Sequence, residues 1–237
     1  MATVLLVRHG RTTANASGLL AGRADGIELD QIGRDQSAVT AERLAAVPVV
    51  GVVSSPLERC RQTAHFIVER QTGAPQGQDG IEFDPDLTEC DYGQWQGRTL
   101  EDLATEKLWP IVQCQPSAVT FPGGESMAAM QARSVAAIRR RDAGFEAQHG
   151  PEAVWVAVSH GDIIKSVLAD ALGMHLDLFQ RINVGPASVS IVRYGASRPT
   201  VFATNTEAGD LSWLSNSAGS EDAPVGGGAG HAPPPSR

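Results

Sequence analysis

The chain has 237 residues, of which 42% are hydrophobic and 19% are charged, enough apolar material for one sizeable domain or two small ones. This composition excludes a wholly disordered chain, and no apolar run approaches the roughly 18 residues of a membrane span. The formal net charge of −8, from 19 basic and 27 acidic residues, makes nucleic acid and anionic membranes poor partners.

Hydrophobic patterning then predicts the elements along the chain. Apolar, β-branched runs predict buried strands at residues 3–7, 49–53, 81–83, 153–158, 184–194 and 200–204. Helical spacing predicts helices over 29–47, 56–71, 126–148 and 162–172, with short helices between 98 and 115. Pro56 is expected in a first helical turn and Ser126 as an N-cap. This alternation predicts a three-layer α/β/α sandwich around a mostly parallel sheet.

The two ends of the chain carry further information. The first eight residues read as a strand rather than a signal peptide, and the three cysteines lack Cys-x-x-Cys spacing, so we expect a cytoplasmic protein. After Asn216 the sequence is rich in Gly, Pro and Ser and nearly free of core-forming residues. We therefore predict one domain over residues 1–214 and a disordered Gly/Pro/Ser-rich tail over residues 215–237.

Polar side chains follow several of the predicted strands. Arg8 and His9 follow the first strand, Arg59 lies one turn into the helix after the second, and His160 follows a later one. Ligands bind at the carboxyl ends of strands in α/β sheets, and arginines and helix N-termini attract anions. A glycine after each histidine is expected to let the backbone approach a ligand closely. Either histidine alone is more often structural, but together they predict a phosphate-sized site.

Five motifs in a fixed order extend this pattern. They are Arg-His-Gly-x-Thr-x-x-Asn at Arg8–Asn15, Ser-Ser-Pro-x-x-Arg-x-x-x-Thr-Ala at Ser54–Ala64, Leu-x-Glu with Gly-x-Trp-x-Gly within Leu87–Gly97, Pro-Gly-Gly-Glu-Ser at Pro122–Ser126 and Ser-His-Gly at Ser159–Gly161. On these motifs, over about residues 3–205, the chain closely resembles the histidine phosphatase superfamily, branch 1, which includes phosphoglycerate mutases. It more loosely resembles an actinobacterial subgroup of phosphomutase- or phosphatase-like proteins.

The resemblance implies a phosphoglycerate mutase-like fold and a role for each matching residue. It implies His9 as the nucleophile that becomes phosphohistidine, Glu89 as the proton donor, His160 as the second pocket histidine, and Arg8, Asn15, Arg59 and Gly161 as the phosphate-binding residues. It implies no metal and no cofactor. The lack of zinc-ligand spacing around the two histidines agrees with this expectation.

The proposed chemistry makes opposite demands on two side chains. His9 must be neutral to attack, which nearby arginines favour, and a backbone acceptor at its other ring nitrogen would fix its tautomer. Glu89 must hold a proton, which burial favours and arginines oppose, so the sequence leaves its state open. Asp91 and Asp162 are rival acids. An acidic-to-neutral pH optimum is expected.

Three activities stay open at this stage. Residues 99–120, where phosphoglycerate mutases carry several basic residues, contain only Lys107, which favours hydrolysis of a small phosphomonoester. Arg11, Arg23 and Arg98 could still supply charge for a phosphomutase. A non-catalytic protein that binds a phosphorylated ligand is the third alternative.

Aromatic residues predict a cover for this site. Trp95, Trp109 and Phe121, with residues 98–120, are expected to form a partly apolar lid.

The sequence leaves the oligomeric state open, and a homodimer is one alternative.

Overall fold

Six strands form one sheet in the computed structural model, which describes residues 2–72, 79–209, 225–226 and 228–230. The strands are β1 (Thr3–Arg8), β2 (Val52–Ser54), β3 (Glu82–Phe83), β4 (Val154–Ser159), β5 (Val189–Tyr194) and β6 (Pro199–Thr206). The helices are α1 (Thr13–Ala16), α2 (Gln31–Leu44), α3 (Glu58–Glu69), α4 (Leu100–Leu103), α5 (Trp109–Cys114), α6 (Met127–His149) and α7 (Gly161–Ala171). Apart from residues 225–226 and 228–230, the predicted tail over 215–237 lies outside the described residues.

The strand order is β3-β2-β4-β1-β5-β6. The first four strands are parallel, whereas β5 runs antiparallel to β1 and β6 antiparallel to β5. The predicted mostly parallel sheet is therefore confirmed. Arg8 aligns with Ser159, and Ser54 with Val158, so the carboxyl ends of β1, β2 and β4 lie together at the same end of the sheet.

Alternate residues of β1 face two separate apolar clusters, which makes the fold three-layered. Val4 and Leu6 belong to a cluster that includes residues of α6 and α7. Leu5 and Val7 belong to a second cluster, with residues of α2 and α3. Successive strand side chains point to opposite faces, so each face buries its own helix pair. This confirms the predicted α/β/α sandwich.

Side-chain caps mark where the two longest helices, α2 and α6, begin. The Ser126 side chain accepts a hydrogen bond from Ala129 N at 3.1 Å, which confirms the predicted N-cap of α6. Asp30 caps α2 in the same way, accepting from Gly33 N at 2.8 Å. Within the described residues, no helix has the length and apolarity needed to cross a membrane.

Several predicted boundaries were displaced by two residues or more. The second strand begins at Val52 instead of residue 49, although Val50 N already donates to Val154 O at 2.8 Å, and the helix predicted over 29–47 spans Gln31–Leu44. Helix α3 begins at Glu58, because Leu57 is extended and leaves Pro56 in the preceding turn. The predicted strand 184–194 begins only at Val189. Residues 184–188 are a loop in which Ala187 adopts φ +57°.

Two glycines bring the loop after β1 against α2. A Cβ on Gly10 would collide with the main-chain oxygen of Gly33, and one on Gly33 with that of Arg11. Neither neighbour is a flexible side chain, so both positions require glycine. The glycine after His9 therefore serves helix contact, and its role in ligand approach stays a prediction.

Candidate active site

The carboxyl end of the sheet brings together five predicted side chains from four separate segments. Arg8 ends β1 and His9 follows it, Arg59 lies in the first turn of α3, His160 follows β4, and Glu89 lies in the loop after β3. Each is between 0% and 3% exposed. Five charged or titratable groups thus share one buried site, where electrostatic interactions are stronger than in bulk water.

The hydrogen bonds of His9 define one neutral tautomer. Its Nδ1 lies 2.7 Å from the main-chain oxygen of Gly10, so Nδ1 carries the proton and donates it. Arg59 Nε donates to His9 Nε2 at 3.3 Å, as expected when Nε2 holds a lone pair. Burial, and then the charges of Arg59 and Arg8, hold the pKa of His9 well below its ordinary value. His9 is therefore neutral, and its ring lone pair is on Nε2.

His160 stands edge-on to His9, with ring centroids 5.3 Å apart. Its Nε2 lies 2.8 Å from Ser55 Oγ and 3.4 Å from Cys60 Sγ. Burial and the nearby Arg59 charge lower the pKa of His160 well below its ordinary value, so this ring is neutral as well. Sequence reasoning missed Ser55 as its partner, although the Ser-Ser-Pro motif that contains it was recognised.

Arg8 and Arg59 each have one side-chain nitrogen without a hydrogen-bond partner among the described residues. Arg8 donates through Nη1 to Val184 O at 2.8 Å and through Nη2 to Gly228 O at 2.9 Å. Arg59 Nη2 donates to Gly22 O at 2.7 Å. Among the described residues, buried Arg8 Nε and Arg59 Nη1 have no partner. Burial lowers the pKa of Arg8 to about 10, so it stays charged at neutral pH. Unpaired charged donors of this kind are suited to an anion.

Glu89 is the buried acid of the site. Burial, followed by the nearby charge of Asp162, raises the pKa of Glu89 above its ordinary value. The Cys90 N–H, which donates to its Oε1 at 2.9 Å, and the two arginines act in the opposite direction. Burial therefore prevails in the balance that the sequence left open, and the carboxyl holds its proton beyond its usual range.

A network that the sequence analysis missed fixes the main chain at Glu89. Arg23 Nε and Arg133 Nη2 donate to the Glu89 carbonyl oxygen at 2.9 and 3.2 Å. Glu125 Oε1 accepts from both arginines, at 2.9 and 2.7 Å. The signal was present, because Glu125 belongs to the recognised Pro-Gly-Gly-Glu-Ser motif.

The structure weakens the case for both rival acids. The Asp91 side chain is 40% exposed and is directed to Arg23 and to Gly93 N. Asp162 is fully buried, but its oxygens accept from Tyr92 Oη at 2.7 Å and Gly226 N at 3.1 Å, and lie 3.5 Å from Lys165 Nζ. Asp162 is thus held by three partners, and Glu89 is the acid that lines the cavity with His9.

Two predicted phosphate-binding residues have different positions. Asn15 lines the cavity, and its Oδ1 accepts from Thr12 N and Thr12 Oγ1 at 3.1 and 2.9 Å, capping α1. Gly161 is buried as the first residue of α7, beside His160 in the chain, and is not among the residues lining the cavity.

The predicted aromatic lid was wrong. Trp95 and Phe121 are almost fully buried in the apolar core, where Trp95 stacks on Trp109 with centroids 6.1 Å apart. Burial of these large rings in the core stabilises the folded state more than their exposure over a cavity would. Within residues 98–120, Leu100 reaches the cavity wall.

The described residues contain no group of three or more His, Cys, Asp or Glu side chains that could hold a metal ion. That the protein works without metal remains a prediction.

Comparisons with known proteins point to one family. The sequence model of the histidine phosphatase superfamily (branch 1) matches residues 4–207. A Yersinia enterocolitica protein named "Probable phosphoglycerate mutase GpmB" is 31% identical over 83% of this chain and 87% of its own length. A glucosyl-3-phosphoglycerate phosphatase of Mycolicibacterium vanbaalenii is 30% identical over 73% of this chain and 76% of its own.

Solved structures have the same fold. A mycobacterial glucosyl-3-phosphoglycerate phosphatase in complex with VO3 aligns with a TM-score of 0.76 and 26% identity, over 86% of this chain and 99% of its own. A phosphoserine phosphatase from Entamoeba histolytica aligns with a TM-score of 0.74 over 87% and 98%, and its 23% identity supports the fold alone.

Proposed function

The chain is an enzyme of the histidine phosphatase superfamily (branch 1), and on that premise we propose that it hydrolyses a small phosphomonoester through a phosphohistidine at His9. One observation carries this proposal. His9 is neutral, with Nδ1 bound to Gly10 O and its Nε2 lone pair beside Arg59, in a cavity that also contains the protonated acid Glu89.

In the first step the lone pair of His9 Nε2 attacks phosphorus, and the bond from phosphorus to the ester oxygen breaks. Glu89 gives its proton to the departing oxygen, so an alcohol leaves and a carboxylate remains. Charge in phosphoryl transfer lies on the equatorial oxygens, where Arg8 Nε and Arg59 Nη1 can donate. His160 is neutral and its Nε2 is hydrogen-bonded to Ser55 Oγ, so it supplies no further positive charge beside His9.

In the second step water attacks the phosphohistidine. The Glu89 carboxylate takes a proton from that water, the bond between phosphorus and Nε2 breaks, and inorganic phosphate leaves. Glu89 is then protonated and His9 neutral again, as at the start. The raised pKa of Glu89 suits both halves, because the group is an acid in one and a competent base in the other.

Phosphomutase activity is the second candidate, favoured by the name of the Yersinia relative. A mutase needs charge for a second anionic group of its substrate. The three arginines considered for that purpose already bind carboxylates: Arg11 binds Asp30, Arg23 binds Glu125, and Arg98 binds Asp102 and Glu106. This pairing supports hydrolysis over transfer.

The test is a panel of phosphomonoesters that includes 3-phosphoglycerate, phosphoserine and glucosyl-3-phosphoglycerate, assayed for free phosphate and for 2-phosphoglycerate. His9→Ala is compared with His65→Ala, a histidine of α3 outside the site. We expect phosphate release that His9→Ala abolishes and His65→Ala retains. Isomerisation without phosphate release would establish the mutase. Neither product, from folded protein that binds phosphate, would establish the non-catalytic binding protein.

A further inference from the structure

Part of the C-terminal tail lies inside the candidate active site. We call Val225, Gly226 and residues 228–230 the C-terminal segment. Val225 is 1% exposed and belongs to the same apolar core as Leu20 and Tyr92. Val225, Gly226 and Gly228 line the cavity that contains His9, Arg59 and Glu89. The segment therefore forms part of the wall around the reacting groups.

Two backbone hydrogen bonds join this segment to buried charged side chains. Gly226 N donates to Asp162 Oδ2 at 3.1 Å, and Gly228 O accepts from Arg8 Nη2 at 2.9 Å. Both side chains are almost fully buried. Hydrogen bonds to charged groups are stronger than neutral ones, so these two contacts fix the register of the segment against the site.

The glycines of the segment match the space around them. Gly226 adopts φ +72° and Gly230 φ +76°, a backbone region that favours glycine. A Cβ on Gly226 would lie 2.7 Å from Leu20 Cδ1, and one on Gly230 would lie 2.7 Å from Pro186 Cδ. The Gly-rich composition at these positions thus has a structural use, which sequence analysis assigned only to disorder.

With the segment in place, little space is left in the cavity. It offers water molecules a volume of about 30 Å³, enough for two or three waters at roughly 10–15 Å³ each. A cavity of this volume accommodates the phosphoryl group of a substrate and only a small leaving group. Since the arginines and His9 must hold the phosphoryl group, the leaving group is the part of a substrate that meets the segment.

We propose that the C-terminal segment is the leaving-group wall of the active site and restricts it to phosphomonoesters with small leaving groups. This inference rests on the proposed function. A bulky ester has to displace Val225 and break the contacts to Asp162 and Arg8, whereas a small ester does not. The segment therefore acts on the selectivity between substrates.

The test variant is Gly226→Pro in the full chain, which removes the N–H to Asp162 and cannot adopt φ +72°. Gly150→Pro is the matched control. Gly150 also has positive φ and one backbone donor bond, to Glu146 O at 2.8 Å, but follows α6 at the opposite edge of the sheet. The measured quantity is the ratio of kcat/KM for 1-naphthyl phosphate to kcat/KM for glycerol 2-phosphate. We expect Gly226→Pro to raise this ratio about tenfold and Gly150→Pro to leave it unchanged.

A second readout needs no turnover. Calorimetry measures the binding of benzylphosphonate and methylphosphonate, and Gly226→Pro should favour the bulky compound by a similar factor. If Gly226→Pro leaves the preference for the bulky over the small compound unchanged, or lowers it, in both assays, the proposed leaving-group wall is wrong, even if the esters are hydrolysed. A shifted binding preference in a protein that hydrolyses no ester supports the wall and overturns the proposed hydrolysis.

Discussion

Replacing Arg59 by methionine is expected to lower activity and to move the whole pH profile upward. The guanidinium lies 3.3 Å from His9 Nε2 through Nε and keeps Nη1 unpartnered among the described residues. The variant loses one preorganised charged donor, and loss of such a donor typically lowers kcat by about 10²–10³. Methionine keeps the apolar volume of the stem, so the fold should tolerate it.

The shift in pH follows from the charge of Arg59. This charge lowers the pKa of His9, after burial, and it also lowers the pKa of Glu89. Two unit charges about 5 Å apart interact by roughly 3 kcal/mol at an effective dielectric constant of about 20. Without this interaction, the pKa of His9 and the pKa of Glu89 should both rise. Both limbs of the profile should therefore move to higher pH.

The assay is kcat/KM against pH, together with NMR titration of the imidazole signals, which reports His9 without turnover. Arg61→Met is the matched control, because Arg61 lies two residues further along α3 and its side chain is 47% exposed. Its profile should match that of the parent. A profile of Arg59→Met that is unmoved, or shifted to lower pH, would refute the electrostatic role assigned to Arg59.

Three further predictions address the acid, the helix contact and the metal. Glu89→Gln removes a carboxyl whose pKa is raised by folding, so the parent should lose stability relative to this variant as the pH rises above 4.5, measured by urea unfolding at pH 5 and pH 8. A difference that is constant with pH would contradict this. Gly33→Ala should lower the free energy of unfolding by at least about 2 kcal/mol, because its Cβ meets the main chain of Arg11. Gly144→Ala, with nothing near its Cβ, is the control for the same measurement. Prolonged EDTA treatment should leave phosphate release intact, and loss of activity restored by a divalent metal would overturn the metal-free mechanism.

Local signals in the sequence were sufficient for the sheet and for most of the site. Short apolar runs followed by histidine or arginine are sufficient to predict strand ends, and the carboxyl ends of parallel strands converge on one edge. This is why His9, Arg59 and His160 could be predicted to meet, and the motif supplied Glu89. Its protonation could not be predicted, because burial and nearby charges oppose each other and their balance depends on packing.

Contacts between distant segments could not be predicted. Arg8 and Gly228 are 220 residues apart in the chain, and Gly10 and Gly33 meet through helix docking. Composition alone describes a Gly-rich segment the same way whether it is free or seated in a cavity. Likewise, an aromatic residue such as Trp95 near an active-site motif fits a core and a cover equally well until the packing is known.

The glycine contact between the His9 loop and α2 makes catalysis depend on the docking of one surface helix. Local openings of a protein cost less free energy than global unfolding, and peripheral helices are often among the first units to open. If α2 separates from the sheet, the loop after β1 loses its close contact with Gly33, although the sheet, the other helices and the bond from Gly10 N to Thr63 Oγ1 of α3 persist. Rising temperature or denaturant concentration should then abolish activity while most of the secondary structure is intact. Loss of activity would therefore measure the detachment of α2 and not the unfolding of the whole fold.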